Sequence, residues 1–187
     1  MKLRKWNIVV PVLALVIVSC NSEKSTDLND DGLSREEKKE NNSADAEFLR
    51  DAAEINLQSI HLSELATTAA AMQETKDMAK MMLEDHKKVN AQVVALASKL
   101  GISIPTYADN EGERKYENLA KKTGYDFDKE YSDLMVKSHK DAIDRYVKAI
   151  DESENPDVLA LANSTLPSLR EHLTHAEHCQ EMAKDAK

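Results

Sequence analysis

Three of the six histidines in this 187-residue chain occur where a helix would bury them. His86, His139 and His172 each continue a run of apolar residues spaced three or four positions apart, and each belongs to a different predicted helix. At a rise of about 1.5 Å per residue, they lie roughly 17–24 Å along their helices. We therefore expect them to meet near the middle of a helical bundle, where a buried polar or metal site needs converging side chains.

Other potential ligands are close to these histidines in the sequence. Asp85 directly precedes His86. His175 follows His172 by three residues on the same helix face, and Cys179 comes four residues after His175. Nitrogen and sulfur ligands of this kind suit zinc or copper. The candidate ligands of a transition metal are therefore Asp85, His86, His139 and His172, with His175 as a weaker candidate.

The same residues also allow interpretations other than a zinc or copper site. A histidine on an apolar stripe is more often a core residue whose ring hydrogen-bonds to a neighbouring polar group. A di-iron centre is disfavoured, because it needs a Glu three residues before the His on two helices, where this chain has Leu83 and Leu169. Methionines at helical core spacing are better explained by packing than by copper(I) binding. An enzyme is the least favoured interpretation, because no candidate nucleophile has an evident oxyanion donor.

The elements that must position these side chains are helices. Four Gly, four Pro and 4% aromatic residues are too few for the many turns of a β-sandwich or barrel. Apolar residues with a period near 3.6 predict four long helices and a short one in the connection between the second and third. The predicted bounds are 44–71, 74–100, 113–122 for the short helix, 126–152, and a last helix that starts at Pro156. One long crossover between two helical hairpins is typical of an all-α, ferritin-like four-helix bundle.

The first nineteen residues resemble a lipoprotein signal peptide. They begin with a basic segment, continue with an apolar run at 8–18, and lead into Ile17-Val18-Ser19-Cys20, which has the form of a lipobox with cleavage before its cysteine. The apolar run is too short to cross a bilayer. Cleavage before Cys20 would leave a diacylated cysteine that anchors the chain in a membrane. We expect a lipid-anchored protein of the cell envelope, in the outer membrane and facing the periplasm or the cell surface.

Residues 20–43 form the predicted link between this anchor and a helical domain at 44–187. The link is almost entirely polar and charged, so it buries too little apolar surface to offset its ordering entropy and is expected to be flexible. Part of it has the spacing of a calcium-binding loop. The candidate oxygen ligands are Asp27, Asn29 and Asp31. The twelfth position of that loop is Lys38 in place of a bidentate Glu, which favours an acidic tether without calcium.

Charge and cysteine content restrict the partners and the cross-links. The net charge is −9 and no basic face is evident, which excludes nucleic acid as an expected partner. If Cys20 is lipidated, Cys179 has no partner within the chain, so the domain contains no disulfide. Protein partners and the leaflet of the anchor are not indicated by the sequence.

Several motifs follow one another along the helical region. They include Ala79-x-x-Met82-x-x-Asp85-His86, Phe127-Asp128-x-x-Tyr131, Met135-Val136-x-x-His139 and Leu166-Pro167-x-Leu169-x-x-His172. In this order they resemble one bacterial family, the domain of unknown function 4142, over roughly residues 44–183. The resemblance implies an exported, ferritin-like bundle without an established activity. It also implies that the recurrent polar positions of the family correspond to Asp85, His86, His139 and His172.

The resemblance also includes a departure in the first helix. Members usually carry a Glu near the position of Ser59 and His61, and this chain has none in that register. A carboxylate bridge between two metal ions is therefore not expected here.

Overall fold

The computed structural model describes residues 35–186 as five α-helices, with side chains from residue 44 onward. The helices are α1 Arg35–Ala69, α2 Gln73–Leu100, α3 Asn110–Ala120, α4 Gly124–Glu152 and α5 Pro156–Asp185. The described range contains no strand. None of the described helices has an apolar stretch long enough to cross a membrane. The lipobox with Cys20 and the calcium-loop residues Asp27, Asn29 and Asp31 lie outside the described residues.

The predicted fold class and helix order are confirmed: α1, α2, α4 and α5 form the bundle, and α3 lies in the connection between α2 and α4. The prediction for the start of the first helix is wrong, because α1 begins at Arg35 and not near Ala44. Residues 35–43 were expected to belong to the flexible link. They lack an apolar period, but Arg, Glu and Lys have good helix propensity and extend the helix that begins the domain.

Local signals define several helix ends. Gly101 ends α2 in the left-handed conformation with φ 68°, as its position after the last apolar residue predicts. The Asn155 side chain accepts hydrogen bonds from the first backbone N–H groups of α5, and Pro156 occupies the first helical position. The short helix was predicted at 113–122 and is α3, which ends at Ala120, and Gly124 begins α4 with φ 60°.

The tight turn between α1 and α2 is held by a side chain from α4. Met72 precedes α2 without a side-chain cap of its own. The buried Asp128 carboxylate accepts hydrogen bonds from the backbone N–H groups of Ala71 and Met72, at 3.1–3.2 Å. A carboxylate at this position satisfies N–H groups that the start of a helix leaves without partners, and it interacts favourably with the helix dipole. Asp128 thereby fixes the α1–α2 hairpin against α4.

The bundle core consists of two apolar clusters at different heights along the helix axes. One contains Phe48, Leu49, Val93, Tyr146, Val158 and Leu169, and the other contains Leu62, Met82, Phe127, Tyr131, Met135 and Cys179, among others. Each cluster takes residues from all four long helices. Along α2 the first cluster includes Val93 and the second includes Met82, with His86 between them. The predicted mid-bundle histidines therefore lie in a polar layer between the two clusters.

The short helix α3 lies against α1. The Tyr116 ring stacks on His61, with ring centroids 3.9 Å apart and planes 11° from parallel. Gly112 approaches Gln58 so closely that a Cβ at this position would come within 2.8 Å of the Gln58 side chain. Leu119 is fully buried beneath the helix. His61 thus serves the contact between α1 and α3 and is not part of the polar layer.

Candidate metal site

The polar layer is built from buried side chains on all four long helices. His86 of α2, His139 of α4 and His172 of α5 expose 2%, 1% and 2% of their surface, and Asn56 of α1 exposes 2%. The helical period explains this placement, because each histidine lies three or four residues from apolar neighbours that face the core. Ala142 and Ala176, one turn from His139 and His172, are small enough to leave room for the rings.

The three histidines form a nearly equilateral cluster, which we call the His triad. The ring centroids of His86 and His139 are 5.3 Å apart, those of His86 and His172 are 5.2 Å apart, and those of His139 and His172 are 5.3 Å apart. One nitrogen of each ring faces the centre. His139 Nε2 is 3.3 Å from His86 Nε2 and 3.3 Å from His172 Nδ1. All three inward nitrogens lie within 4.8 Å of one another.

Hydrogen bonds at the outer edges of the rings determine where each proton resides. His139 Nδ1 is 2.8 Å from the Met135 carbonyl oxygen, which only accepts, so Nδ1 carries the hydrogen. His172 Nε2 is 2.9 Å from the Asp85 carboxylate, so Nε2 is the donor in that ring. The inward atoms, His139 Nε2 and His172 Nδ1, are therefore unprotonated in the neutral rings.

The same argument holds for His86. Its Nδ1 is 2.8 Å from Asn56 Oδ1. The Asn56 amide nitrogen donates to the Ala52 carbonyl at 2.6 Å, so the amide oxygen of Asn56 faces the ring and accepts from His86 Nδ1. This places a lone pair on His86 Nε2, the nitrogen that faces the triad. Three lone pairs thus point at one another, and no ring N–H is left to satisfy them.

Burial keeps the triad neutral. Desolvation, followed by repulsion from the His139 and His172 rings, holds the pKa of His86 well below its usual value. Desolvation and the neighbouring His172 lower the pKa of His139 to about 4, although the Met135 carbonyl acts in the opposite direction. A proton shared among the rings is therefore disfavoured at neutral pH.

These shifts predict that the metal-free protein loses stability as the pH falls from 7 to 5. The unfolded chain binds protons below about pH 6.5, whereas folded His86 and His139 resist protonation, so each contributes up to about 1.4 kcal/mol of destabilisation per pH unit. Above pH 6.5 both the folded and the unfolded histidines are neutral, so no stability is lost. The loss of stability grows as the pH falls below 6.5 and levels off near pH 4 for His139, where the folded ring also binds a proton. Thermal melts should show a falling Tm, and His86→Leu and His139→Leu should reduce the slope.

The exposed His175 supplies the control for this measurement. His175→Leu should leave the pH dependence of the Tm as it is in the wild type. A Tm that does not change between pH 7 and pH 5 would contradict the assignment of neutral, buried rings.

A metal ion fits the geometry of the triad. Nitrogen ligands lie about 2.0–2.1 Å from zinc, which separates two ligands of one ion by about 3.3–3.6 Å at tetrahedral or trigonal angles. The two separations of 3.3 Å to His139 Nε2 agree with this distance. Each ring also donates its outer N–H to a fixed acceptor, the arrangement that orients histidine ligands in known metal sites. Among the residues that the structure describes, the His triad is the group whose His, Cys, Asp or Glu ligand atoms converge in this way.

Comparison with known proteins identifies the family of this chain. The model of DUF4142, a domain of unknown function, matches residues 32–179. The chain belongs to the DUF4142 family. No curated protein matches it. A solved structure titled as a DUF305 fragment from Deinococcus radiodurans is similar with a TM-score of 0.66 and 14% sequence identity, over 74% of this chain and 96% of that one. At this identity the likeness supports the helical fold alone.

The structure brings some of the ligands predicted for this DUF4142 domain together and leaves the others outside the His triad. His86, His139 and His172 come together as expected. Asp85 contacts His172 Nε2 from outside the triad, with its side chain 45% exposed. The His175 side chain is 50% exposed and lies 4.0 Å from Glu171 on its own helix, away from the triad.

The sulfur atoms also lie outside the group of converging ligands. Cys179 is a buried free thiol in the second apolar cluster. Burial raises its pKa to about 11, which opposes formation of the thiolate that binds metals. The Met82 sulfur accepts a hydrogen bond from the Tyr131 hydroxyl at 3.7 Å. Both residues belong to core packing in the DUF4142 domain.

Asn56 is the functional residue that sequence reasoning missed. Asn56 is a polar residue beside Ile55, so the spacing of apolar residues alone does not mark it as a core position. A signal was available, because Asn56 lies three and four residues after Ala53 and Ala52 and three before Ser59. A polar residue one helical turn away from buried residues can itself be buried, where it can hydrogen-bond to a histidine on another helix.

Proposed function

We propose that this protein is a lipid-anchored component of the cell envelope whose DUF4142 domain binds one transition-metal ion, zinc or copper, in the His triad. The anchor is inferred from the lipobox that ends at Cys20. The ligands are the inward nitrogens of His86, His139 and His172. Imidazole nitrogen is a good ligand for both metals.

One observation carries the proposal: three unprotonated ring nitrogens converge in a buried layer. Lone pairs that face one another without a donor leave buried acceptors unsatisfied, which is costly in a folded protein. A cation at their centre removes this cost. The lowered pKa values of His86 and His139 disfavour a proton in that role at neutral pH. A metal ion remains as the occupant that fits the geometry.

The burial of the triad favours retention of the ion over catalysis. All three rings are at least 98% shielded from solvent, and the two apolar clusters flank them along the helices. A substrate would have to displace packed side chains to reach an open coordination position. We therefore assign a binding role to the site, as a store, a carrier or a structural centre.

The second candidate is a metal-free structural or interaction module. The bond between Asn56 and His86 joins α1 to α2, and the bond between Asp85 and His172 joins α2 to α5. Buried polar contacts of this kind can specify how helices align. Under this alternative the histidines tie the bundle together, and the activity of the protein lies on its surface.

Elemental analysis distinguishes the two candidates. The chain without residues 1–19, carrying Cys20→Ser and no tag, would be purified and then titrated with Zn²⁺ and Cu⁺ against a chelator of known affinity. We expect about one ion per chain, and none above background in the His86→Ala/His139→Ala double variant. His175→Gln is the matched control and should bind as the wild type does. A wild type that binds neither ion would support the metal-free module.

The anchor needs a separate measurement. The full chain, produced in a bacterium that processes lipoproteins, should fractionate with membranes and yield a diacylated N-terminal Cys20 in mass spectrometry. Cys20→Ala should be released from the membrane fraction. Recovery of an unmodified Cys20 from the full chain would contradict the lipid anchor without affecting the metal site.

A further inference from the structure

The His triad offers a metal ion three neutral ligands. The ligand atoms that converge are one imidazole nitrogen each from His86, His139 and His172, and among the described residues no carboxylate or thiolate belongs to this group. The ligands therefore cancel none of the charge of the ion. The cost of a buried charge grows with its square, so a divalent ion in this layer costs about four times as much as a monovalent ion of similar size. The charge of the ligands thus favours a monovalent cation.

A single carboxylate contacts the triad from outside. Asp85 accepts from His172 Nε2–H at 2.9 Å, so one negative charge lies behind one ligand. The other two rings donate to neutral acceptors, the Asn56 amide oxygen and the Met135 carbonyl. A monovalent ion together with the Asp85 carboxylate leaves the layer close to neutral, whereas a divalent ion leaves one positive charge uncompensated.

Apolar side chains flank the triad on both sides along the helices. Met82 and Met135 lie on the side of the second cluster, and Ala142 and Leu169 lie on the side of the first, all of them buried. Zinc in proteins is almost always four-coordinate, and a zinc site with three histidines keeps its fourth position for water or substrate. Cu⁺ has a filled d shell and is stable with three ligands, and thioether sulfur is a soft neighbour that suits it. The flanking residues therefore favour a three-coordinate ion.

We propose that the His triad binds Cu⁺ in a three-coordinate site and selects it over Zn²⁺. The proposal rests on the proposed metal-binding function and names the ion that the same three nitrogens hold. Cu⁺ matches the number of ligands, their neutrality and the single carboxylate behind His172. Zn²⁺ fits the distances between the nitrogens, but it would lack a fourth ligand and would leave a buried positive charge.

The affinities for the two ions test this selectivity. The metal-free chain from residue 20, carrying Cys20→Ser, would be titrated with Cu⁺ under exclusion of oxygen and separately with Zn²⁺, each against a chelator of known affinity for that ion. We expect the Kd for Cu⁺ to be lower than the Kd for Zn²⁺ by at least about tenfold. A smaller difference, or tighter binding of Zn²⁺, would overturn the selectivity and leave the proposed function standing. If neither ion binds, the proposed function fails as well, so the two failures are distinguishable.

Asp85→Asn tests the balance of charge. The variant removes the carboxylate charge and keeps an amide oxygen that can accept from His172 Nε2–H. Coulomb energy is proportional to the charge of the ion, so we expect affinity losses of about threefold for Cu⁺ and about tenfold for Zn²⁺. Glu84→Gln is the matched control, because it removes the same charge from the exposed neighbouring residue, and both Kd values should stay within about twofold. Equal losses for the two ions in Asp85→Asn would contradict selection by charge.

X-ray absorption at the copper K edge tests the coordination number, and we expect three nitrogen neighbours. A fourth ligand would be a bound water, and Asn90 Oδ1 is a candidate acceptor for it. This buried oxygen has no partner in the described part of the chain, and Asn90 follows His86 by one turn. Asn90→Leu should therefore leave the Kd for Cu⁺ within about twofold, as should Cys179→Ala. A fourth oxygen neighbour, or loss of Cu⁺ binding in Cys179→Ala, would overturn the proposed three-histidine site.

Discussion

Saturation with zinc or copper, the ions proposed for the His triad, is expected to raise the Tm of the metal-free protein by about 8–16 °C. An ion that binds only the folded state at a free concentration 1,000 times its Kd contributes about 4.1 kcal/mol, and 1 kcal/mol corresponds to about 2–4 °C in a domain of this size. The physical reason is that the ion satisfies three buried lone pairs, on His86, His139 and His172, that nothing else in the layer satisfies. Differential scanning calorimetry with and without the ion measures the shift.

Two variants make this measurement specific to the triad. His139→Gln keeps a polar side chain of similar length but removes the ring nitrogen that contacts both other histidines, so the shift should disappear. His175→Gln alters an exposed histidine on α5 and should retain the full shift. A shift that survives in His139→Gln would place the ion elsewhere. Loss of the shift in His175→Gln would restore His175 as a ligand.

The positions of the three histidines were predictable because a helix converts sequence spacing into height. The rise per residue put His86, His139 and His172 at mid-bundle, and the period of 3.6 put them on the buried faces. Both properties are local to each helix. The long connection between α2 and α4 did not affect the prediction. The heights of residues along the helices on either side of it are set by the short turns at the ends of the bundle. The structure confirms that the three rings meet.

The roles of the surrounding polar residues were not predictable in the same way. Asp85 was expected to be a ligand because it adjoins His86, yet successive helical residues point in different directions and its carboxylate contacts His172 from outside. Asn56 was missed because its partner lies on another helix, 30 residues away. Contacts of this kind depend on how the helices rotate against each other, which no single helix encodes.

Two features of the fold could not be predicted from the sequence, for related reasons. The start of α1 at Arg35 lies in a polar segment, where helix propensity acts without an apolar period. The sequence also gave no indication that Asp128 of α4 holds the α1–α2 turn, more than 50 residues away. In both cases the sequence shows which residues are polar but not which backbone groups they satisfy.

The outer hydrogen bonds of the triad connect fold and function. Each of Asn56, Met135 and Asp85 accepts one ring N–H, and together they aim three lone pairs at one point. Histidine ligands without such acceptors can adopt either tautomer, and the wrong tautomer directs an N–H at the ion. Under the proposed metal-binding function, the helices that carry the acceptors contribute to affinity without touching the ion. Asn56 and Asp85 differ in burial, so their contributions should differ too.

Asn56→Leu is expected to weaken metal binding by about 10- to 100-fold, the effect typical of losing the acceptor behind a ligating histidine. Leu has a similar volume but leaves His86 Nδ1–H without a partner in a buried position, so the ring gains by moving its proton to the inward Nε2. Asn56→Asp restores an acceptor and should recover the affinity. It should also lower the Tm of the metal-free protein, because a buried carboxylate is then uncompensated.

Asp85→Leu should weaken metal binding by less than tenfold, because the Asp85 side chain is 45% exposed and water can replace it as the acceptor for His172 Nε2–H. Chelator competition measures the Kd of each variant, and the pH dependence of binding separates a tautomer effect from misfolding. The order of the effects is the decisive result. If Asp85→Leu were the more damaging change, or Asn56→Asp failed to recover affinity, then control of the proton on His86 would not be the reason that Asn56 is buried in this layer.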